Sequence, residues 1–441
     1  MDWLCQAFSL PETFLSSTGK GGGTIQGSAS EAIVTCMVAA RERHLYRRAK
    51  AQGLTEGSSE WDDFTSTLRG RLVALCSDQA HSSTAKGARI AGTRCISIPT
   101  DFSSDLSLTA IALQKCLDEC KQQNLEPYYI TLTLGTTSTG TVDDFASLLP
   151  LLNEKYPDIW IHVDAAYAGT ALICPEYSSQ YSHYISGVDS FNTNMHKWLL
   201  VNFDASCLFV QDRNDLTRAL SISAAYYENK QSSSGLVTDY RDWQIPLGRR
   251  FRSLKIWFVM RTYGLEGMQE HIRRTCKLGE RMEGWVRERR DLFEVVGTPR
   301  FALTCFRIKP EALNGVREGG NGHVNGSVEG PIAGEDVAFV PKKAVEEDME
   351  QSEVARKDKE QTANLLTKQV TNLITERGEI FLTGSTAGGK TFIRVVSANP
   401  NAEEKWVRAA FDTVVKTTEE VLGQWREGKL DLGGLVNGDA H

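Results

Sequence analysis

Five short runs of apolar and β-branched residues, at 72–76, 94–98, 128–134, 159–163 and 206–210, recur through the first half of the chain. Their length and composition read as buried strands. Patterns of helical period lie between them, 106–120 and 143–154 among others, so strand and helix alternate and a largely parallel sheet covered by helices is predicted. Ligands of such sheets gather at the carboxyl ends of the strands. Beyond Phe251 the texture changes to longer helical segments at 252–263 and 265–289. A strand-like run at 303–308, a helix at 362–376, strands near 379–382 and 391–396, and an amphipathic helix at 402–422 complete the pattern. The expected organisation is an α/β large domain over residues 1–254 and a smaller α+β domain over 255–441. Within the second, 311–361 runs from a glycine-rich stretch into a charged tract almost without aromatic residues. Such a composition cannot offset ordering entropy, and disorder is expected there.

Composition narrows the function. A net charge of -7 supplies no electrostatic reason to bind nucleic acid or anionic lipid, which leaves small-molecule chemistry as the expectation. The ten cysteines form no Cys-x-x-Cys pair, and Cys36, Cys76, Cys207 and Cys305 fall inside apolar runs where they read as reduced core residues. No leader-like N-terminus and no span of membrane length is present in the sequence, so a cytoplasmic location is expected.

One motif is tempting. The stretch 384–391, GSTAGGKT, has the spacing of a phosphate-binding P-loop, but such a loop must open a helix. The next residues, FIRVV, are β-branched, so a hairpin turn between two strands is predicted and nucleotide hydrolysis is the weakest reading.

A second set of residues converges on one chemistry. Gly21, Gly22 and Gly23 precede Ser28 and Glu31, which have capping-box spacing ahead of a helical run, and this reads as a glycine loop with an anion seat at a helix start. Asp164 ends an apolar run and is followed by small residues, which places a carboxylate at a strand's carboxyl edge where a flat ring could approach. His81 lies just past the strand at 72–76, and Lys197 sits in NMHKWLL. Each alone has a plain structural reading. Together they supply phosphate grip, ring partner, stacking face and Schiff-base lysine, the set that pyridoxal phosphate requires.

QGSASEA, SDQAHSS, LGTT, HVDAAYAG, DSFN, HKWLLVNFD and DWQIPLGRRFRSLK carry a resemblance to the aromatic L-amino acid decarboxylases, within the pyridoxal phosphate-dependent group II decarboxylases. The resemblance runs from Met1 to about Ile308 and resumes weakly near Glu379. It implies a type I aminotransferase-like large domain with a mainly parallel seven-stranded sheet, pyridoxal 5'-phosphate as cofactor, and a homodimer with its sites near the subunit interface. By motif, Lys197 would form the Schiff base, Asp164 would pair with the ring nitrogen and His81 would stack on the ring. Ala29, Ser30, Ser190, Asn194 and His196 would line the phosphate side, with Thr137, Asp143 and Ala166 around the ring.

The family also implies a branch point. In 224–240, a serine- and glycine-rich stretch that reads as a mobile loop, Tyr226 matches the tyrosine that protonates Cα, whereas related aldehyde synthases carry phenylalanine. Tyr226 and His81 together favour the amine product. Gly248 resembles the aromatic enzymes, where a missing side chain leaves room for indolic substrates such as tryptophan or 5-hydroxytryptophan, ahead of DOPA or tyrosine. Two departures stand against the resemblance: the family's N-terminal helical segment would precede Met1, and Met195 replaces a common proline. Three readings therefore stand: an aromatic amino acid carboxy-lyase, a catalytically impaired cofactor-binding paralogue or fragment, and a P-loop hydrolase.

Overall fold

The structure is a computed structural model and describes residues 1–221, 238–314, 342–430 and 432. The chain divides into two units, one of Met1–Glu280, Gly297–Thr304 and Val396–Glu403, the other of Arg281–Val296, Cys305–Val395 and Glu404–His441.

In the first unit seven strands form one sheet: β1 (Gly22–Gln26), β2 (Leu72–Ser77), β3 (Arg94–Ile98), β4 (Glu126–Thr133), β5 (Trp160–Asp164), β6 (Ser190–Asn194) and β7 (Ser206–Val210). Their order is β1-β7-β6-β5-β4-β2-β3. The pairs from β6 through β3 are parallel, and β7 runs against both neighbours. This is the mainly parallel α/β sheet expected from the alternating pattern. Successive side chains of a strand face opposite sides, and here both sides are buried. Leu72, Ala74, Tyr128 and Trp160 pack with Ala32, Ile33 and Met37 of the helix Ala29–Ala51. Val73, Leu75, Ile130, Leu132 and Ile161 pack with Leu113 and Leu117 of Ala110–Gln122 and with Leu148 and Leu152 of Phe145–Lys155. Each such large side chain contributes about 1.5–3 kcal/mol of burial, so continuous apolar runs are what a doubly covered strand needs.

Two strands lack such a run. β1 is GGTIQ, inside the stretch read above as a glycine loop, and it pairs with β7 from Gly22↔Val210 to Gln26↔Ser206. Its glycines serve close packing: a Cβ on Gly22 would lie 2.7 Å from the Trp243 ring, and one on Gly23 would lie 2.9 Å from the Leu208 carbonyl oxygen. β6 is SFNTN, fully buried although mostly polar. The helix expected from residue 106 begins instead at Ala110, because Thr109 caps it through Oγ1 to the Ala112 N–H at 3.3 Å and Leu106 has a φ of 61°. The two helical segments expected on either side of residue 264 are found: Arg252–Glu288 is two helices that meet at a kink at Gly264, with φ 64° and ψ -178°.

The second unit carries a four-stranded sheet, β8 (Phe293–Val295), β9 (Leu303–Ile308), β10 (Thr383–Ala387) and β11 (Lys390–Val396), in the order β10-β11-β9-β8. Phe293 and Phe306 pack with Phe411 of the helix Glu404–Arg426. The P-loop-like stretch is a hairpin as predicted: Ala387 pairs with Lys390 across Gly388 and Gly389, whose φ values of 52° and 76° suit a tight two-residue turn. That register carries β10 back only to Thr383, so the strand expected at 379–382 lies later than the sequence suggested. Arg307, fully buried, meets Glu294 and Glu360 and donates to Asn364 Oδ1, which also accepts from the Thr391 N–H at 2.8 Å. Of the tract 311–361, residues 315–341 lie outside the described residues, and from 342 the chain is within the helix Lys342–Arg377.

Gly169, just after β5, illustrates how tightly the sheet's carboxyl edge is built: a Cβ there would stand 2.7 Å from Thr193 Oγ1 and 2.8 Å from Ala165 Cβ. Gly169→Ala is expected to lower unfolding free energy by about 1–3 kcal/mol through overpacking, read as a reduced urea midpoint at unchanged slope. An unshifted midpoint would show that the edge yields.

Candidate active site

Strand register builds the site. Thr133 of β4 pairs with Asp164 of β5, and Asp164 with Asn192 of β6, so β4 and β5 end level with Asn192, two residues before β6 ends at Asn194. A cavity of about 210 Å³ opens there, lined by Ala29, Ser30, His81, Thr137, Asp164, Ala166, Asn194, His196 and Lys197 among others. Nine residues singled out in the sequence thus share one cavity, Lys197 and Asp164 included.

Asp164 is 6% exposed, and its Oδ1 accepts from the Ala166 N–H at 3.0 Å. Lys197 lies in the helical turn Met195–Trp198 directly after β6, and its ammonium forms no ion pair among the described residues. Both flanks of that turn are pinned: the Asn194 N–H donates to the Ala166 carbonyl and the Met195 N–H to the Ala205 carbonyl, each at 3.0 Å. His196 Nδ1 accepts from the Ala205 N–H at 2.8 Å, which places the ring proton on Nε2, and burial lowers its pKa and keeps the ring neutral. His81 is held likewise, with Nδ1 accepting from the Ser83 N–H at 3.1 Å.

The helix start is capped as predicted. Ser28 Oγ accepts from the Glu31 N–H at 3.2 Å, and Glu31 Oε2 accepts from the Gly27 N–H at 2.9 Å, one residue ahead of the usual capping-box partner. The first amides of the helix, at Ala29 and Ser30, are groups no helix satisfies internally, and they sit at its positive end.

Two expected residues do not line the cavity. Asp143 lies behind its wall, with Oδ1 accepting from the Leu108 N–H at 2.9 Å and Oδ2 from the Thr133 N–H at 2.7 Å. Burial pushes its carboxyl up to about 7 against the pull of those two amides. Ser190 stands at the other end of β6 from Asn194, where its hydroxyl accepts from Trp160 Nε1–H and meets His162 Nδ1, both at 2.8 Å. Tyr226 lies outside the described residues. Gly248 is not among the lining residues, and a Cβ there would meet nothing within 4 Å.

Thr133, Ser83, Tyr167 and Phe203 line the cavity without having been singled out. Tyr167 stacks on Trp198 at 4.8 Å between ring centroids, and its hydroxyl donates to the Phe301 carbonyl at 2.6 Å. A signal existed for Tyr167, Ser83 and Phe203, which lie inside the motifs HVDAAYAG, SDQAHSS and HKWLLVNFD. Thr133 is revealed by strand pairing alone.

Residues 1–309 match the family model described as the pyridoxal-dependent decarboxylase conserved domain. An aromatic-L-amino-acid decarboxylase of Sus scrofa is 46% identical over 314 residues, 70% of this chain and 61% of that protein. Phenylacetaldehyde synthase of Arabidopsis thaliana is 36% identical over 426 residues, 96% of this chain and 73% of that protein. The crystal structure of Oryza sativa TDC with PLP and tryptamine aligns with a TM-score of 0.76 at 34% identity, covering 96% of this chain and 75% of that one. The chain spans about six tenths of the length of the first curated relatives it matches.

The lining residues fit pyridoxal phosphate. Thr133 Oγ1 and Asn194 Oδ1 in the wall are buried with no hydrogen-bond partner among the described residues, so the cavity offers polar atoms to a polar guest. Alanines at 29 and 166 leave space, and a helix start, a carboxylate and a lysine supply the donor set that a phosphorylated pyridine aldehyde requires.

Beneath this edge, His162 is fully buried, and burial holds its pKa down to about 4 from an ordinary 6.5. The unfolded chain therefore binds the proton first, and the stability that the neutral ring contributes above pH 6.5 is lost as pH falls toward 4. Between pH 7 and 5 this amounts to about 2 kcal/mol. Urea unfolding of His162→Gln is expected to show an acid-side decline smaller by that amount; an identical decline in both proteins would exclude the assignment.

Proposed function

The chain belongs to the pyridoxal-dependent decarboxylase family, and from that premise we propose that it is a carbon-carbon carboxy-lyase converting aromatic L-amino acids to the amine and carbon dioxide. The observation that carries this is the meeting of Lys197 and Asp164 in one cavity beside the start of the helix Ala29–Ala51. When bound, the cofactor supplies the electron sink that accepts the pair left behind as carbon dioxide departs.

The chain's residues prepare that chemistry. Lys197, which makes no ion pair among the described residues, would hold the cofactor through its amine and give it up to the incoming amino group. Asp164, with Oδ1 fixed by the Ala166 N–H, would keep a proton on the pyridine nitrogen; an opposite charge in contact is worth about 1 to 3 pKa units, or about 1.4 to 4 kcal/mol. The amides of Ala29 and Ser30 would grip the phosphate. His81, oriented by the Ser83 N–H, would offer its ring to the face of the pyridine. Tyr226 would hand the proton to Cα, which would make the product an amine. The aromatic substrate class is supported by the names of the relatives, and an indolic amino acid by the tryptamine bound in the Oryza sativa structure. A cytoplasmic location accords with ten free cysteines and with the absence, among the described residues, of a helix long and apolar enough to cross a membrane. An aldehyde-synthase reading is favoured by one observation, the 36% identity to phenylacetaldehyde synthase across 96% of the chain.

A second copy of the chain is the partner we assign to an exposed apolar stripe at Phe251, Leu254, Trp257 and Phe258, of which Phe251 is 74% and Phe258 55% exposed. Patches of this kind mark association surfaces on water-soluble chains.

With pyridoxal phosphate and tryptophan, DOPA or tyrosine, carbon dioxide and amine should form in equal amounts. Lys197→Ala should lose both the visible cofactor band and turnover, Asp164→Asn should slow turnover by about 10- to 1000-fold, and Lys390→Ala should change nothing. Aldehyde and peroxide in place of amine would promote the second reading, and a band without turnover would mark an impaired paralogue. Sedimentation equilibrium should give twice the 48.9 kDa of the chain, falling to a single chain in Trp257→Glu/Phe258→Glu; a wild-type monomer at about 50 μM would remove the dimer.

A further inference from the structure

Trp198, the residue after Lys197, is held from three directions. Its ring stacks on Tyr167 with planes 11° apart. Its indole N–H donates to Thr275 Oγ1 at 3.0 Å, and its backbone carbonyl lies 3.1 Å from His271 Nε2. His271 and Thr275 stand one turn apart on the helix Arg252–Glu288, which presents both to the same residue. The carbonyl is one that the four-residue turn Met195–Trp198 leaves open at its end. All of these groups are buried, with Trp198 1%, His271 6% and Thr275 0% exposed.

The ring's other nitrogen is also engaged. Arg274 Nη2 lies 3.5 Å from His271 Nδ1, and the same guanidinium donates to the Pro400 and Ala402 carbonyls. A guanidinium cannot accept, so Nδ1 is the acceptor and the imidazole proton resides on Nε2, aimed at the Trp198 carbonyl. An unbroken line of polar contacts therefore runs from the segment Val396–Glu403 through Arg274 and His271 to the backbone bonded to Lys197.

We infer that His271 is a positioning residue for Lys197, fixing through the Trp198 carbonyl the direction in which the lysine enters the cavity. Thr275 and Tyr167 fix the tryptophan side chain, whereas His271 alone among them holds the main chain next to the lysine. Because the side chain of Lys197 makes no ion pair of its own among the described residues, its aim depends on that backbone. The inference rests on the reading of Lys197 as the cofactor-bearing amine.

The test uses the full chain loaded with pyridoxal phosphate, following the visible band of the lysine-bound cofactor, its pH midpoint and the cofactor dissociation constant. His271→Phe keeps the bulk and removes the donor; it should weaken cofactor retention about tenfold and move the pH midpoint by about half a unit or more. His271→Gln, whose amide nitrogen can donate to the same carbonyl, should return both to within about threefold of wild type. Thr275→Val should lower thermal stability while leaving the midpoint in place. If His271→Phe does not fold, Arg274→Met frees the ring from its partner and should move the midpoint in the same direction. Wild-type midpoints in the folded His271 and Arg274 variants, or equal shifts in Thr275→Val, would overturn the positioning role. A band that survives in Lys197→Ala would instead refute the reading on which it rests, and borohydride reduction with peptide mapping would show where the cofactor is attached.

Discussion

The pairing of β4, β5 and β6 in parallel register is the constraint on which the site depends. Parallel strands buried on both faces must satisfy every backbone amide and carbonyl within the sheet, and the register that does so places Thr133, Asp164 and Asn192 side by side. A slip of one residue would turn Asp164 to the opposite face. The apolar residues on the faces of these strands therefore do more than stabilise the sheet: by permitting one register they decide where a carboxylate stands. The segments leaving these strands then have little freedom. The Leu134 N–H bonds to the Asp164 carbonyl and the Ala165 N–H to the Asn192 carbonyl, so the strand ends are tied to one another before the loops begin.

Beneath that edge the sheet departs from an apolar interior. Trp160, His162 and Ser190 join in hydrogen bonds, and Arg43 of the helix Ala29–Ala51 lies 4.4 Å over the Trp160 ring while pairing with Asp189. Such a layer is costly to bury unless paired. It ties the helix to the sheet through Arg43, whose contacts with Trp160 and Asp189 sliding would forfeit. The helix that carries Ala29 and Ser30 is thus indexed to the strands that carry Asp164 and Asn194.

Legibility in the sequence followed the kind of force at work. Doubly buried strands announce themselves as apolar runs, which is why β2, β4, β5 and β7 stood out to within a residue or two. β1 and β6 escaped because their burial is tolerated for other reasons, the absence of a Cβ at Gly22 and Gly23 and the internal pairing of Ser190 and Asn192. The site was legible where chemistry constrains residue type, as at Lys197, Asp164 and the Ser28 cap. It was not legible where only tertiary pairing matters. Asp143 is drawn as an anchor for the Leu108 and Thr133 amides, a role that no local pattern distinguishes from contact with a ligand. The hairpin at Gly388 and Gly389 is the converse lesson: a string with the letters of a nucleotide motif was read correctly because the residues after it are β-branched.

The break at Gly264 has a bearing on how this chain can vary. An uninterrupted helix rotates every downstream residue by about 100° for each residue gained or lost upstream. At Gly264 the non-helical backbone ends that bookkeeping, so the aromatic half before it and the half holding Met268 and Ile272 against the core are phased separately. The joint works as a clutch. A change of length in the half that carries the exposed Phe251, Trp257 and Phe258 therefore need not rotate Met268 and Ile272 out of their contacts, so two surfaces of one segment are set independently.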